Sequence, residues 1–206
     1  MAETEQPQLY LISPAEIELS IFPDRLAKVL DSVEIACVRL ALSTRDEDRI
    51  AKIADSLREV THARDVALVI SEHGMLVERL GLDGVHLPDG ARSVRHWRKE
   101  LGTDAIVGSF CGTSRHDGLN AGEAGADYVS LGPVTASALG DGSVADPELF
   151  AWWSEVVEVP LVAEGGLNKD IVSTLCQTTD FFGVGDEIWS ADDPVTALQA
   201  LTAAFR

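Results

Sequence analysis

The chain of 206 residues is 46% hydrophobic and 24% charged, a globular composition with room for one domain, 1–206, around a substantial core. Its 34 acidic against 16 basic residues give a net charge of −18, which argues against nucleic acid as a partner, because a polyanion needs clustered Lys or Arg to displace its counterions. No apolar run reaches the roughly 18 residues of a membrane span. The acidic start MAETEQPQ has neither the basic nor the apolar region of a signal peptide, so the expected compartment is the cytoplasm. Cys37, Cys111 and Cys176 lie far apart, which fits a reducing compartment rather than a disulfide framework or zinc site.

Short apolar runs alternate with amphipathic segments along the chain. Residues 8–13 read as the first strand. Residues 35–42 read as the second, and Arg39 is the only basic side chain inside any strand candidate. A helix over 45–64 places Ile50, Ile53, Ala54 and Leu57 on one face. Strands at 66–71 and 84–87 precede a helix over 92–101 that carries Val94, Trp97 and Leu101. After strands at 105–110 and 128–131, Pro147 opens a helix behind the N-cap residue Asp146. Strands at 160–163 and 181–185 flank a helix that starts at Asn168. The final helix begins at Asp193–Pro194 and carries Leu198 and Leu201 before Phe205. The strands are apolar at consecutive positions, as strands buried on both faces are.

A weak echo runs through the sequence. LGLDGVHL, AGADYVSL and QTTDFFGV place Asp83, Asp127 and Asp180 just ahead of a strand. One β–α unit repeated about eight times predicts the α/β class and a single (β/α)8 TIM barrel. The alternative, an open doubly wound sheet, lacks a GxGxxG fingerprint after the first strand.

Such barrels bind ligands at the C-terminal ends of their strands. There, AEGGLN offers Glu164, Gly165 and Gly166, and GVGDEI offers Gly185. These glycines suit a cradle of backbone amides for an anion, or equally a tight strand-to-helix turn. Gly132–Pro133 forms a pocket lip, yet the TASALGDG that follows contains no Lys or Arg. Arg39 needs an anionic partner, either a ligand or Glu72 or Glu164 across the barrel. His86 is a proton carrier or a hydrogen-bonded structural histidine, and His116 reads as solvated. Cys111 ends a strand, where a thiol is reactive if its environment favours the thiolate. Cys37 and Cys176 read as core residues.

DGVHL, GADYVSLGPV, VPLVAEGGLN and GVGDEIWSADDP, in that order over nearly the whole chain, resemble the thiamine phosphate synthase/TenI family. The resemblance implies a barrel, commonly dimeric, that joins hydroxymethylpyrimidine pyrophosphate to thiazole phosphate with Mg²⁺ and loss of pyrophosphate. Together with the strand-end reading it gives Arg39 and Cys111 as candidate catalytic residues. Glu72, His86, Gly132, Glu164, Gly165, Gly166 and Gly185 are the candidate substrate-binding residues.

Several family positions differ here. The Gln-x-Arg-x-Lys of the second strand is CVRLA, with Cys37 and Ala41 in place of Gln and Lys. The Asn-Asp pair is SE, leaving Glu72. Ala91 stands where a Mg²⁺-binding Asp belongs, with Asp89 as a shifted substitute, and Gly140 replaces the pyrophosphate-binding Lys. No metal site and no cofactor are therefore expected. The expected function is a thiamine phosphate synthase-like protein of thiamine biosynthesis with weak or no activity. The alternative is a non-catalytic binding or regulatory barrel for a thiazole- or pyrimidine-like ligand. The expected partners are a small molecule, phosphorylated in the family, and a second copy of the chain in a homodimer.

Overall fold

The computed structural model describes residues 6–203. Eight parallel strands close into a barrel in chain order, and the last pairs back onto the first. The first half contains β1 (Gln8–Ile12), α1 (Phe22–Ser32), β2 (Cys37–Leu40), α2 (Glu47–His62), β3 (Ala67–Ser71), α3 (Leu76–Leu80), β4 (Gly84–Leu87) and α4 (Val94–Leu101). The second half contains β5 (Ile106–Phe110), α5 (Arg115–Glu123), β6 (Tyr128–Leu131), α6 (Pro147–Val156), β7 (Leu161–Glu164), α7 (Lys169–Leu175), β8 (Phe181–Val184), α8 (Asp186–Trp189) and α9 (Pro194–Thr202). The barrel is closed, as the repeating unit predicts, and α9 packs on α1, α7 and α8. Phe205 lies outside the described residues. No helix among those residues is long and apolar enough to cross a membrane.

Two strand boundaries move in ways that matter. The predicted 35–42 shrinks to Cys37–Leu40, and the predicted 160–163 becomes Leu161–Glu164. Glu164 is thus the last residue of β7, not the first residue after it. The helix starts follow their caps. Asp146, Asn168 and Asp193 each accept backbone N–H groups of the first turn of α6, α7 and α9, and losing such a cap costs about 0.5–2 kcal/mol.

Successive strand residues serve two cores, which is why the strands are apolar without alternation. Leu9, Leu11, Val38, Leu40, Val85 and Val129 join the layer shared with the helices. Tyr10, Cys37, Val69, Tyr128 and Val162 form a separate cluster in the barrel lumen. Gly108 makes space for the largest of these, since a Cβ there would stand 2.0 Å from Cζ of Tyr128.

The echo has a physical cause. Asp83, Asp127 and Asp180 each accept, through Oδ2, the backbone N–H of Leu68, Val107 and Leu161 at 2.7 Å, near the start of the preceding strand. Each also donates its own N–H to the carbonyl of that residue, at 2.9, 2.8 and 3.2 Å. Before β2, Ala36 makes the same backbone bond to Leu9 at 2.9 Å but brings no carboxylate.

Candidate functional site

Five strands send polar side chains into the lumen: Tyr10, Arg39, His86, Tyr128 and Glu164, all buried. Arg39 meets Glu164 with both prongs, Nη2 to Oε2 at 2.5 Å and Nη1 to Oε1 at 3.2 Å. Its Nη1 also lies 2.7 Å from Nε2 of His86. A guanidinium only donates, so Nε2 accepts and the proton of the neutral ring sits on Nδ1. That nitrogen donates to Tyr128 Oη at 2.9 Å, and Tyr128 Oη lies 2.6 Å from Tyr10 Oη.

The electrostatics agree with this assignment. Burial, and then the adjacent Arg39 charge, hold the His86 pKa well below the ordinary imidazole value. Burial is the largest single influence on Arg39 and works against its charge, but the Glu164 carboxylate together with Tyr10 and Tyr128 outweighs it and the pKa of Arg39 rises. Burial also raises both tyrosines. Arg39 therefore pairs with Glu164 and not with Glu72. Glu72 stands exposed past the end of β3, with a left-handed φ of 66°.

Two of the cavities formed by the described residues open over the C-terminal ends of the strands. One, of about 410 Å³, is bordered by Arg39, Ala41, Glu164, Gly166, Gly185 and Glu187. The other, of about 1000 Å³, is bordered by Ala91, Cys111, Gly132 and Gly140. Its walls set Arg92 and Arg95 against Asp89, Asp117, Glu123 and Asp141, so acids outnumber bases there as well.

Of the expected glycine cradle, the Gly166 and Gly185 amides meet a carboxylate of the chain itself, joined by Leu167 rather than Gly165. Gly166 and Leu167 donate their N–H groups to Oε1 of Glu187 at 3.1 and 3.0 Å, and Gly185 donates to Oε2 at 2.7 Å. Turn geometry accounts for part of the sequence too. Gly165 and Gly166 have φ of 87° and 79°, and a Cβ on Gly166 would stand 2.1 Å from Oγ1 of Thr135.

The lip packs onto this turn. Val134 and Thr135 donate to the Gly165 carbonyl at 2.9 and 3.2 Å, and the Thr135 hydroxyl donates to the Gly166 carbonyl at 2.7 Å. Gly132, whose peptide to Pro133 is cis, donates its N–H to Gly112 at 3.0 Å. The amide of Gly132, a candidate substrate-binding residue, is therefore committed to the protein itself.

Cys111 is buried, with Sγ 3.7 Å from the Ser109 carbonyl, and burial pushes its thiol up to about 12. Such a thiol stays neutral near pH 7, which suits packing better than nucleophilic attack. His116 is exposed on α5, 3.0 Å from Nδ2 of Asn120. The donors at the family's metal position do not fit Mg²⁺, which needs several oxygens in octahedral array. Ala91 brings none, and Asp89 accepts the Ser93 hydroxyl through Oδ2 at 2.5 Å, leaving its buried Oδ1 as a single oxygen without a partner among the described residues. Among the described residues, no three His, Cys, Asp or Glu side chains converge on one point.

Sequence reasoning assigned no role to Glu187, Tyr10 or Tyr128. Tyr128 lies one residue after the Asp127 of the echo, and Glu187 two residues after Gly185. The available signal was a carboxylate within reach of a glycine turn.

Fold and lumen together define a (β/α)8 barrel with cavities at the C-terminal mouth. The sequence pattern of the family described as thiamine monophosphate synthase matches residues 9–183. The thiamine-phosphate synthase of Erythrobacter litoralis is 40% identical over 200 residues, spanning 94% of this chain and 93% of that one. That of Rhodospirillum centenum is 38% identical over 185 residues, spanning 89% of each. A solved thiamine phosphate pyrophosphorylase from Pyrococcus furiosus shares the fold, with a TM-score of 0.83 at 23% identity over 96% of this chain and 95% of that one. The chain belongs to the thiamine monophosphate synthase family.

Proposed function

We propose that this barrel keeps the small-molecule site of its family but forms thiamine phosphate slowly or not at all. The observation that carries the reading is the state of Arg39. Among the described residues it is the one basic side chain bordering the smaller cavity, and Glu164 and His86 take both of its terminal nitrogens. Displacing pyrophosphate builds negative charge on the leaving oxygens, and catalysis depends on donors aimed at that charge. At the positions where the resemblance places two Lys and an Asp, this chain has Ala41, Gly140 and Ala91. Each missing transition-state donor costs a factor of about 10² or more in rate. Cys111, neutral and packed, does not make up the loss.

In this reading Arg39 and His86 are positioning residues that fix Glu164 at the floor of the mouth. The occupied cradle favours a second reading, a binding or regulatory barrel without turnover. Both keep the homodimer and the cytoplasmic setting expected from resemblance and composition.

The test is product formation from hydroxymethylpyrimidine pyrophosphate and thiazole phosphate with Mg²⁺ present. The expected outcome is thiamine phosphate at or near background. Clear turnover by the unmodified chain overturns the proposal. Calorimetric binding of either precursor without turnover supports the second reading.

A further inference from the structure

Glu187 is held in place by backbone amides. Its two oxygens take three N–H groups from two different loops, 166–167 and 185, at 2.7 to 3.1 Å. Backbone amides that converge this way form an anion site, and a carboxylate bound by several of them makes charge-assisted bonds. The anion in this site is part of the chain. A phosphate could enter only by expelling Glu187 and breaking all three bonds. It would then lie beside the freed carboxylate and near Asp186 and Glu164, which border the same cavity.

The rest of that cavity is mild in character. Ile12, Ala15, Ala41 and Leu139 supply apolar wall, and Asp186 is exposed at its edge. A carboxylate there accepts a hydrogen bond from a hydroxyl and repels a phosphate.

We infer that Glu187 determines the specificity of this mouth: it takes an uncharged azole alcohol and rejects the corresponding phosphate ester. The inference rests on the proposed thiamine-precursor site for its ring, and on the Glu187 contacts for its choice between alcohol and ester. It makes Glu187 a built-in replacement for the ligand's phosphate, so the ligand need not bring one.

The experiment is calorimetry on the full chain with three probes: inorganic phosphate, hydroxyethyl-methylthiazole and the phosphate ester of that alcohol. Wild type, Glu187→Ala and Glu187→Gln are compared, with thermal melts to confirm folding. For the wild type, phosphate heats should be absent up to about 10 mM, which corresponds to less than roughly 3 kcal/mol of binding. The thiazole alcohol should bind at least about tenfold more tightly than its phosphate ester, a gap of about 1.4 kcal/mol.

Glu187→Ala should gain phosphate affinity at least about tenfold, or about 1.4 kcal/mol, with its affinity for the alcohol nearly unchanged. If Glu187→Ala does not fold, Glu187→Gln carries the test, since it keeps an acceptor oxygen and removes the charge. It too must bind phosphate more tightly than wild type. Equal phosphate binding by wild type and variant overturns the inference, as does a folded variant that binds no phosphate. A wild-type preference for the ester also overturns it. The phosphate titration uses no pyrimidine substrate and no turnover, so its result stands apart from that of the coupling assay.

Discussion

Arg39 on β2 and Glu164 on β7 join across the lumen of the barrel, two nitrogens to two oxygens, with neither side chain more than marginally exposed. A buried pair of this kind contributes little net stability over an apolar replacement, yet breaking it is costly because one charge is left without its partner. Arg39→Ala or Glu164→Ala alone should destabilise the protein by about 3–5 kcal/mol. The double variant should lose clearly less than the sum of the two. Chemical denaturation of the four proteins gives the coupling, and strict additivity would mean that the pair does not act as a unit.

His86 gives a pH dependence whose sign is fixed by its environment. Its folded pKa is depressed, first by burial and then by Arg39, while in the unfolded chain it titrates near 6.5. Below about pH 6.5 the unfolded chain takes up a proton that the folded chain refuses. The contribution of His86 is therefore complete above that pH and is lost progressively as pH falls toward the folded pKa. Imidazole NMR should show a neutral ring protonated on Nδ1 at pH 7 and still neutral at pH 5.5. An imidazolium signal at that pH contradicts the assignment.

The thiols separate by burial. Cys37 and Cys111 are buried, and burial pushes both up to about 12, whereas Cys176 is only half-buried at the end of α7. Titration of the folded protein with a disulfide reagent at pH 8 should give one fast-reacting thiol. The other two should react only on unfolding. Fast labelling of Cys111 would reopen its case as a nucleophile.

Much of this was legible from the residues, and what was not has a consistent cause. Consecutive apolar residues, the cap at Asp146, helix starts at Asn168 and Asp193, and the Asp echo predict the closed barrel, because those signals are local. The partner of Arg39 is a lumen contact across 125 positions of chain, so sequence left Glu72 and Glu164 as equals. The glycines of the cradle were visible, but not that the Glu187 carboxylate fills it, since a side chain two residues past a turn points wherever the fold allows.

Rebuilding the family's charges should restore some anion binding, with one penalty. Lys at Ala41 and at Gly140 with Asp at Ala91 should strengthen pyrophosphate binding; because Glu164 and His86 already take both terminal nitrogens of Arg39, reverting the two Lys should remove the gain. Gly140 has a φ of 74°, so its Lys costs roughly 1–2 kcal/mol of backbone strain. The Ala41→Lys, Ala91→Asp pair should thus retain a higher melting temperature than the triple variant. Calorimetry with pyrophosphate and Mg²⁺ measures the gain. Micromolar affinity in the unmodified chain would instead point to cations elsewhere.

The three aspartates ahead of β4, β6 and β8 have a mechanical consequence for the whole cylinder. Each rivets its strand to the one before it, so β3 with β4, β5 with β6 and β7 with β8 are staves fastened in pairs. The remaining pair, β1 with β2, has Ala36 where the rivet would be. Removing a rivet strips a buried N–H of its acceptor, a loss of about 1–3 kcal/mol. The first pair goes without one from the start. Under native conditions amides shared between β1 and β2 should exchange with solvent ahead of those shared within the riveted pairs. Placing Asp at Ala36 should slow that exchange and close the seam.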